Sequence, residues 1–275
     1  MTHKKHYNSI QDLYRDTEAQ ARPHAEYTEK TILYWHGVED AEHIFTYAKT
    51  GWTDGVRRTR EALKGLGIPR ISSFRRQRRQ SDFGDYVDMQ RIYSGDVARA
   101  WTKTVRVQDK AHRQLAPVTL FVAVSANCNR SADEFFWRGA VAATLADAIQ
   151  SAGRPVQIVA YEHGRDTFTN GDDSLISVEV KEADMPLDMG NVAYQLALAG
   201  FFRTWLLAAI DRMADRQGLT VRGNYGHSDH KPMKPDDINH VAGASKAVYV
   251  DNIWCQDQAQ AWLDQKLKAV EEGIL

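Results

Sequence analysis

Residues 120–136, LFVAVSANCNRSADEFF, contain a clear sequence pattern of a strand, a loop and a helix. An apolar run rich in β-branched residues stops at Ser125, and a short polar loop separates it from a helical pattern. Ser131 and Glu134 have the S-x-x-E spacing of a capping box, in which each side chain bonds the backbone of the other residue. The stretch therefore predicts a buried strand, a loop at its carboxyl end and a helix that begins after Ser131.

The sequence on the carboxyl side predicts further strands and helices in alternation. VQIVAYEHG (156–164) and SLISVEV (174–180) are typical of strands, 188–216 of one long helix, and KAVYVDNIW (246–254) of a fourth strand before a last helix. This alternation predicts an α/β fold, with a mainly parallel sheet flanked by helices. No helix separates the second strand from the third, so we expect the third to run antiparallel at an edge, and the fourth to lie beside the first.

The rest of the chain predicts a different organisation. Residues 1–68 have helical patterns, and we expect an N-terminal helical extension there, with Trp35, Trp52 and Trp101 as core anchors. RRQRR and its surroundings predict an exposed basic linker at 69–84. Residues 85–275 are then the α/β domain.

Composition sets outer limits on function. The chain has 275 residues, with 35 Lys and Arg against 36 Asp and Glu, so the net charge predicts no overall attraction to nucleic acid or to an anionic membrane. The first residues lack the apolar core of a signal peptide, and no apolar run of about 18 residues occurs. Cys128 and Cys255 are too few for a disulfide framework, and we expect buried thiols in a cytosolic protein.

The order of strands and the opening loop resemble a von Willebrand factor A-type domain, which has a Rossmann-like fold. The metal site of that family begins with Asp-x-Ser-x-Ser after the first core strand. Here Ala123 replaces the acidic residue, Ser125 retains the first serine and Asn127 replaces the second. The later ligands correspond to Asp188 and Asp251. Because magnesium and calcium depend on carboxylate oxygens, we expect a degenerate, metal-free rim with no cofactor.

A second resemblance covers most of the chain. AKTGWTDGVRRTREAL, VDMQRIYSGD, SADEFFWRGAVAATLADAIQSAGRPVQIV and PLDMGNVAYQLALAGFFRTW are similar to a family of uncharacterised tailed-phage proteins, domain of unknown function 7192. The resemblance implies a phage gene product that works in the cytoplasm of a bacterial host. It brings no activity that could be transferred to these residues.

A loop rich in histidine and aspartate offers an alternative function. His227, Asp229, His230 and His240 lie in YGHSDHKPMKPDDINH, and an H-x-x-H pair with a carboxylate can bind zinc. This pattern would suit a metal-dependent enzyme or a nucleic-acid-processing factor. No cysteine ligand accompanies it, so a polar surface loop is the favoured interpretation.

Two further sequence patterns also have ordinary structural explanations. Ser125 and Cys128 stand where a strand turns into a helix, but VSANC is not a nucleophile elbow and no partner histidine is identifiable. The run of Arg75, Arg76, Arg78 and Arg79 could contact phosphates, yet a solvated linker explains it as well.

The leading hypothesis is a non-enzymatic adaptor that binds another protein. Ligands of open α/β sheets gather at the carboxyl ends of the strands. We therefore expect partner contact at a rim formed by Ser125, Asn127, Asp188 and Asp251. By analogy with A-type domains, an AAA+ ATPase is a candidate partner. Nucleic acid and membrane are not expected partners, and the sequence leaves the oligomeric state open.

Overall fold

The computed structural model of the chain describes most of the sequence. The described residues are 1–27, 31–65, 75–81, 86–87, 89–93, 95–96, 100–107, 117–225, 227–228, 246–250, 252–272 and 274–275. The strands in chain order are β1 Thr2–Tyr7, β2 Arg75–Ser81, β3 Tyr86–Val87, β4 Trp101–Val107, β5 Val118–Ala123, β6 Val156–Arg165, β7 Asp173–Lys181, β8 His227–Ser228 and β9 Lys246–Val250.

The helices lie between these strands. They are α1 Ile10–Glu26, α2 Ile32–His36, α3 Ala41–Thr50, α4 Thr53–Gly65, α5 Met89–Tyr93, α6 Ala132–Ser151, α7 Met189–Ala197, α8 Ala199–Phe201, α9 Leu207–Gln217 and α10 Gln256–Glu271. A π-helical turn, Phe202–Leu206, joins α8 to α9.

The main sheet has the strand order β1-β7-β6-β5-β9, with β8 paired to β6. β1 is parallel to β7, and β6, β5 and β9 are mutually parallel, while β7 is antiparallel to β6. The predicted mixed α/β fold with a mainly parallel sheet is therefore confirmed. So are the antiparallel third predicted strand and the position of the fourth beside the first.

The third predicted strand does not lie at the edge, because β1 pairs with its outer side. The register runs from Thr2 opposite Asp173 to Tyr7 opposite Val178. β1 has a polar sequence without an apolar run, so the pattern did not reveal it. Side-chain bonds support the backbone pairing, since His3 Nε2 lies 2.9 Å from an oxygen of Asp172.

Because β1 and β7 run against β6, β5 and β9, carboxyl ends of strands lie at both ends of the sheet. Lys181, the last residue of β7, is opposite Ile158 near the start of β6. The carboxyl ends of β1 and β7 therefore lie beside the amino ends of β5 and β6. The fold offers two separate places where loops follow parallel strands.

Helices cover one face of this sheet. Val118, Leu120 and Val122 of β5 belong to the same buried apolar cluster as residues of α1, α3, α6, α7, α9 and α10. On the other face, residues that include Phe121 and Val159 form a second buried cluster. Helices of the region 1–68 thus contribute to the main core. Trp52 is buried in it, whereas Trp35 and Trp101 are half-buried.

The segment 69–84, predicted as a linker, contains strand β2. Its backbone pairs antiparallel with β4, from Arg75 opposite Val107 to Ser81 opposite Trp101, and β3 pairs with the other side of β4. The basic sequence has no apolar alternation. Its pairing rests on backbone hydrogen bonds, which such a pattern does not reveal.

The helix predicted over 188–216 is broken at Leu198, which has an extended backbone (φ −93°, ψ 118°). The two parts meet at a bend of 69°. α7 lies close against α6, because a Cβ at Gly139 would come 2.2 Å from the carbonyl oxygen of Leu196. The break places the π-helical turn beside the start of α6.

Among the described residues, no single helix has both the length and the apolar content to cross a membrane. The bent pair Met189–Ala197 and Ala199–Gln217 passes that test only when its two parts are taken together.

Candidate functional site

The loop after β5 lies at the end of the sheet where β5, β6 and β9 finish. Val122 is opposite Val250 of β9, and the Val124 N–H donates to the Tyr161 carbonyl over 2.8 Å, which extends the ladder with β6. Ser125 is buried, whereas residues 127–129 are exposed. The Arg130 N–H closes the turn by donating to the Asn127 carbonyl over 3.0 Å.

The predicted capping box is confirmed and fixes the exit from the loop. The Glu134 N–H donates to Ser131 Oγ over 3.2 Å, and the Ser131 N–H donates to Glu134 Oε2 over 2.9 Å. Arg130 donates to the other carboxylate oxygen of Glu134 over 2.6 Å. This arrangement lowers the pKa of Glu134, because its hydrogen bonds to Ser131 and Arg130 outweigh the opposing effect of desolvation.

A buried arginine of α6 holds the start of the loop. Arg138 is only 2% exposed, and its Nη2 donates to the Ser125 carbonyl over 2.8 Å. Its guanidinium lies 4.7 Å from the Trp254 ring centre and 5.0 Å from that of Phe135. Aromatic faces are favourable neighbours for a cation that has lost water. The positively charged guanidinium of Arg138 thus contacts the start of the loop from its buried side.

A second buried arginine, from the π-helical turn, holds the end of the loop. Arg203 is 1% exposed; its Nη2 donates to the Arg130 carbonyl over 2.7 Å, and Nη1 donates to the Trp35 carbonyl. Its guanidinium lies 3.8 Å from the Trp35 ring centre. Desolvation lowers its pKa to about 10. Among the described residues no carboxylate pairs with Arg203, so backbone carbonyls and an aromatic ring stabilise the charge.

Both cysteines are exposed, so the prediction of buried thiols is wrong. Cys128 lies in the turn itself, and Cys255 is the N-cap of α10 just beyond β9. Neither position has a side chain directed into the core. An apolar small residue in a sequence is buried only when its backbone position faces the interior, which composition does not reveal.

The structure does not bring Asp188 to the loop after β5. Asp188 is the N-cap of α7, where its Oδ1 accepts from the N–H groups of Gly190 and Asn191 over 2.9 and 3.2 Å. It lies with Ser9 and Lys181 at the opposite end of the sheet. The sequence PLDMGN therefore works as a helix cap rather than as part of the predicted rim. Asp251 lies outside the described residues.

The described residues of the loop do not fit the divalent cation site of A-type domains. Position 123 has an alanine methyl group where that site needs a carboxylate, and Asp188 is at the other end of the sheet. The Ser125 carbonyl, a potential oxygen ligand, already accepts from Arg138. Two guanidinium charges beneath the loop would also repel a cation.

The remaining candidate residues are placed only in part. His227 is exposed in β8, where its backbone pairs with Arg165, and Asp229, His230 and His240 lie outside the described residues. Within the part of the chain that the structure covers, no group of three His, Cys, Asp or Glu could hold a metal ion. Arg75, Arg76, Arg78 and Arg79 have a described backbone in β2, and their side chains are outside the description.

The sequence analysis did not identify Arg138 and Arg203 as candidate site residues. These two arginines hold the loop through hydrogen bonds to its backbone carbonyls. Each arginine interrupts an apolar stretch, FFWRGAV and GFFRTWLL. A charged residue inside such a stretch is seldom buried unless it has polar partners. This pattern could have indicated a buried arginine, although it does not predict which carbonyl groups the guanidinium contacts.

Fold and loop together define an α/β protein with a mainly parallel sheet and an arginine-supported loop at the carboxyl end of its central strand. A family model described as Domain of unknown function (DUF7192) matches residues 2–272, so the chain belongs to this family, as the sequence predicts. No match was found among curated proteins or among solved structures.

Proposed function

We propose that this protein is a non-enzymatic adaptor that binds a protein partner through the loop after β5. The observation that carries the proposal is the combination of exposed side chains at 127–129 with a backbone held by Arg138 and Arg203. A surface loop fixed from beneath by two buried charges is costly to build, because each guanidinium gives up its hydration. Such a loop is suited to presenting a constant shape.

A preorganised loop favours the binding of a partner. A loop that is already ordered loses little conformational entropy when a partner docks, so more of the contact energy appears as affinity. The position agrees with this role, because ligands of open α/β sheets gather at the carboxyl ends of the strands. Asn127 and Asn129 offer amide groups that can donate and accept hydrogen bonds.

The described surroundings of the loop lack a catalytic arrangement. The Cys128 thiol lies 3.8 Å from Asn129 Oδ1 and within electrostatic range of the Arg203 guanidinium, and its described hydrogen-bond partners include no histidine. Ser125 is buried, and its carbonyl is engaged by Arg138. No described base is positioned to activate either nucleophile.

The wider setting is part of the same proposal. The adjacent carboxyl ends of β5 and β9 are consistent with a degenerate von Willebrand factor A-like core, and the resemblance to tailed-phage proteins suggests a phage gene product in the host cytoplasm. An AAA+ ATPase is then the partner to examine first, by analogy with A-type domains.

Site-specific photo-crosslinking tests the proposal directly. A benzophenone amino acid would replace Asn127 in one variant and Glu271 in the control, and crosslinking would follow in host cells infected by the phage. Glu271 is exposed near the end of α10, and the neighbouring Ile274 carbonyl accepts from Lys246 at the start of β9. It therefore marks the opposite end of the sheet.

We expect one discrete adduct from position 127 and none from position 271, with an ATPase or another defined protein as the partner. An identical adduct from both positions, or no adduct from position 127, would contradict contact through this loop.

A further inference from the structure

The second sheet, formed by β2, β4 and β3, concentrates basic residues in a short length of paired backbone. β2 has the sequence RRQRRQS, and its antiparallel partner β4 has the sequence WTKTVRV. Six of these fourteen residues are Arg or Lys, and none is Asp or Glu. The whole chain, in contrast, has a net charge of −1. The overall charge balance therefore does not describe this pair of strands, which we call the basic ribbon.

The register of the basic ribbon brings like charges to facing positions. Arg76 is opposite Arg106, and Arg79 is opposite Lys103. Like charges directly opposite each other destabilise an antiparallel pair. A polyanion bound along the strands would reduce this repulsion, because its charges would lie near both members of each pair. The register therefore favours an extended anionic ligand.

The alternation of residues along each strand separates two faces of the ribbon. One face has only polar residues at its paired positions, and three of them are arginines. These residues are Arg76, Arg78 and Gln80 of β2, and Thr102, Thr104 and Arg106 of β4. The other face includes the apolar residues of β4, which are Trp101, Val105 and Val107. The wholly polar face is the one suited to phosphate groups.

Protection of a sheet edge does not explain the single sign of these charges. Charged residues on an edge strand hinder its pairing with other chains, and β2 is an edge strand of its sheet. A glutamate opposite an arginine would serve that purpose too, and the opposite charges would also stabilise the ladder. The ribbon instead has six basic residues and no acidic one.

A DNA duplex matches the ribbon in charge and in shape. Seven paired residues span about 20 Å, and duplex DNA has on the order of ten phosphates over that length. The major groove of B-DNA admits a two-stranded β-ribbon, whereas side chains cannot read the deep, narrow major groove of duplex RNA. No residue of the wholly polar face is aromatic, so this face has no stacking platform for the bases of a single strand.

We infer that the basic ribbon binds double-stranded DNA through its phosphate groups, without a preference for base sequence. This activity goes beyond the proposed adaptor role, because β2 and β4 belong to a different sheet from the strand that leads into the loop after β5. Each can therefore fail without the other.

Fluorescence anisotropy of the full chain with a labelled DNA duplex of mixed sequence tests the inference. We expect saturable binding at about 0.1 M salt, with an affinity that falls steeply as salt is added, because bound phosphates release their counterions. Arg76→Gln combined with Arg78→Gln should weaken binding about tenfold or more and reduce the salt slope of log Kd by about 2. Arg76→Lys combined with Arg78→Lys keeps the charge and should stay within about threefold of wild type.

A matched control separates the ribbon from the charge of the whole chain. Arg57→Gln combined with Arg60→Gln removes the same charge at exposed positions of α4, and it should leave the Kd within about threefold of wild type. Arg106→Gln is a second ribbon variant should the Arg76 and Arg78 pair fold poorly. It should weaken DNA binding without lowering the melting temperature, because it removes one member of a like-charged pair.

Four results would overturn the inference. They are absence of saturable binding to the duplex, an equal loss of affinity in the α4 control, tighter binding to single-stranded DNA or duplex RNA of the same sequence, and binding to phosphatidylserine vesicles without binding to the duplex.

Discussion

Arg203 donates a hydrogen bond of 2.7 Å to the backbone carbonyl of Arg130, and so connects the π-helical turn to a loop 73 residues earlier in the chain. The contact forms because the helix after β7 breaks at Leu198, which brings the next turn to the start of α6. A helix defect and a buried charge together determine the geometry of the exposed loop.

Replacing Arg203 with methionine should lower the free energy of unfolding by about 2–3 kcal/mol, because the partly buried carbonyls of Trp35 and Arg130 lose their donor. Urea unfolding measures the change. Arg57→Met is the control: that arginine is 65% exposed in its pairs with Asp54 and Glu61, and it should change stability by less than about 0.5 kcal/mol. Equal effects of the two substitutions would show that Arg203 has no special structural role.

The buried carboxyl of Glu162 should make the protein less stable as the pH rises from about 4.5 to about 8. Burial raises the pKa of its carboxyl from 4.5 to about 8, although Ser174 Oγ donates to it over 3.4 Å. The folded pKa lies above the unfolded one, so the stability from this group is complete below about pH 4.5 and is lost as pH rises toward 8. At about 1.4 kcal/mol per pH unit, the loss is on the order of 4 kcal/mol.

Glu162→Gln should therefore flatten the pH dependence of the unfolding free energy between about pH 5 and pH 8, and raise stability at pH 8. Glu39→Gln, at an exposed side chain, is the control and should leave the profile unchanged. Unfolding curves collected across this pH range measure the effect of both substitutions. A profile that Glu162→Gln does not alter would mean that the carboxyl is ionised without cost.

Thiol titration should find both cysteines in the native protein. Cys128 and Cys255 are exposed, so an aromatic disulfide reagent should react with two thiols per chain without denaturant. Cys128→Ser should reduce this number to one. Reaction that occurs only after addition of denaturant would contradict the exposed positions.

Divalent cations should leave the melting temperature unchanged. Ala123 replaces the carboxylate that such a site needs, and Arg138 occupies the Ser125 carbonyl. A ligand at a hundred times its Kd would add about 2.7 kcal/mol, which a thermal scan detects easily. Millimolar magnesium, calcium and manganese are the additions to compare. A rise in melting temperature that Asp251→Ala abolishes would establish the metal site.

Much of the framework was predictable because its signals are local. The apolar run of β5, the capping box at Ser131 and the turn-rich stretch before β7 each depend on a few consecutive residues. Alternation of strands and helices then restricts the order of the sheet. The position of β9 beside β5 follows from the same rules and is observed.

What the sequence did not predict depends on contacts between distant segments. β1 joins the sheet through backbone pairing and polar side chains, so no apolar pattern reveals it. The break at Leu198 lies in a stretch that is apolar throughout. Asp188 has the residue type of a rim ligand, and only the direction of β7 and α7 shows that it belongs to the other end of the sheet.

The most direct test of the adaptor account is the affinity of the purified chain for the partner that photo-crosslinking identifies, measured by calorimetry for wild type, Asn127→Arg and Glu271→Arg. Asn127→Arg adds a long charged side chain at an exposed position, so the melting temperature should not change. We expect Asn127→Arg to weaken the Kd about a hundredfold, and Glu271→Arg to leave it within about twofold. An unchanged Kd for Asn127→Arg would contradict binding through the loop after β5.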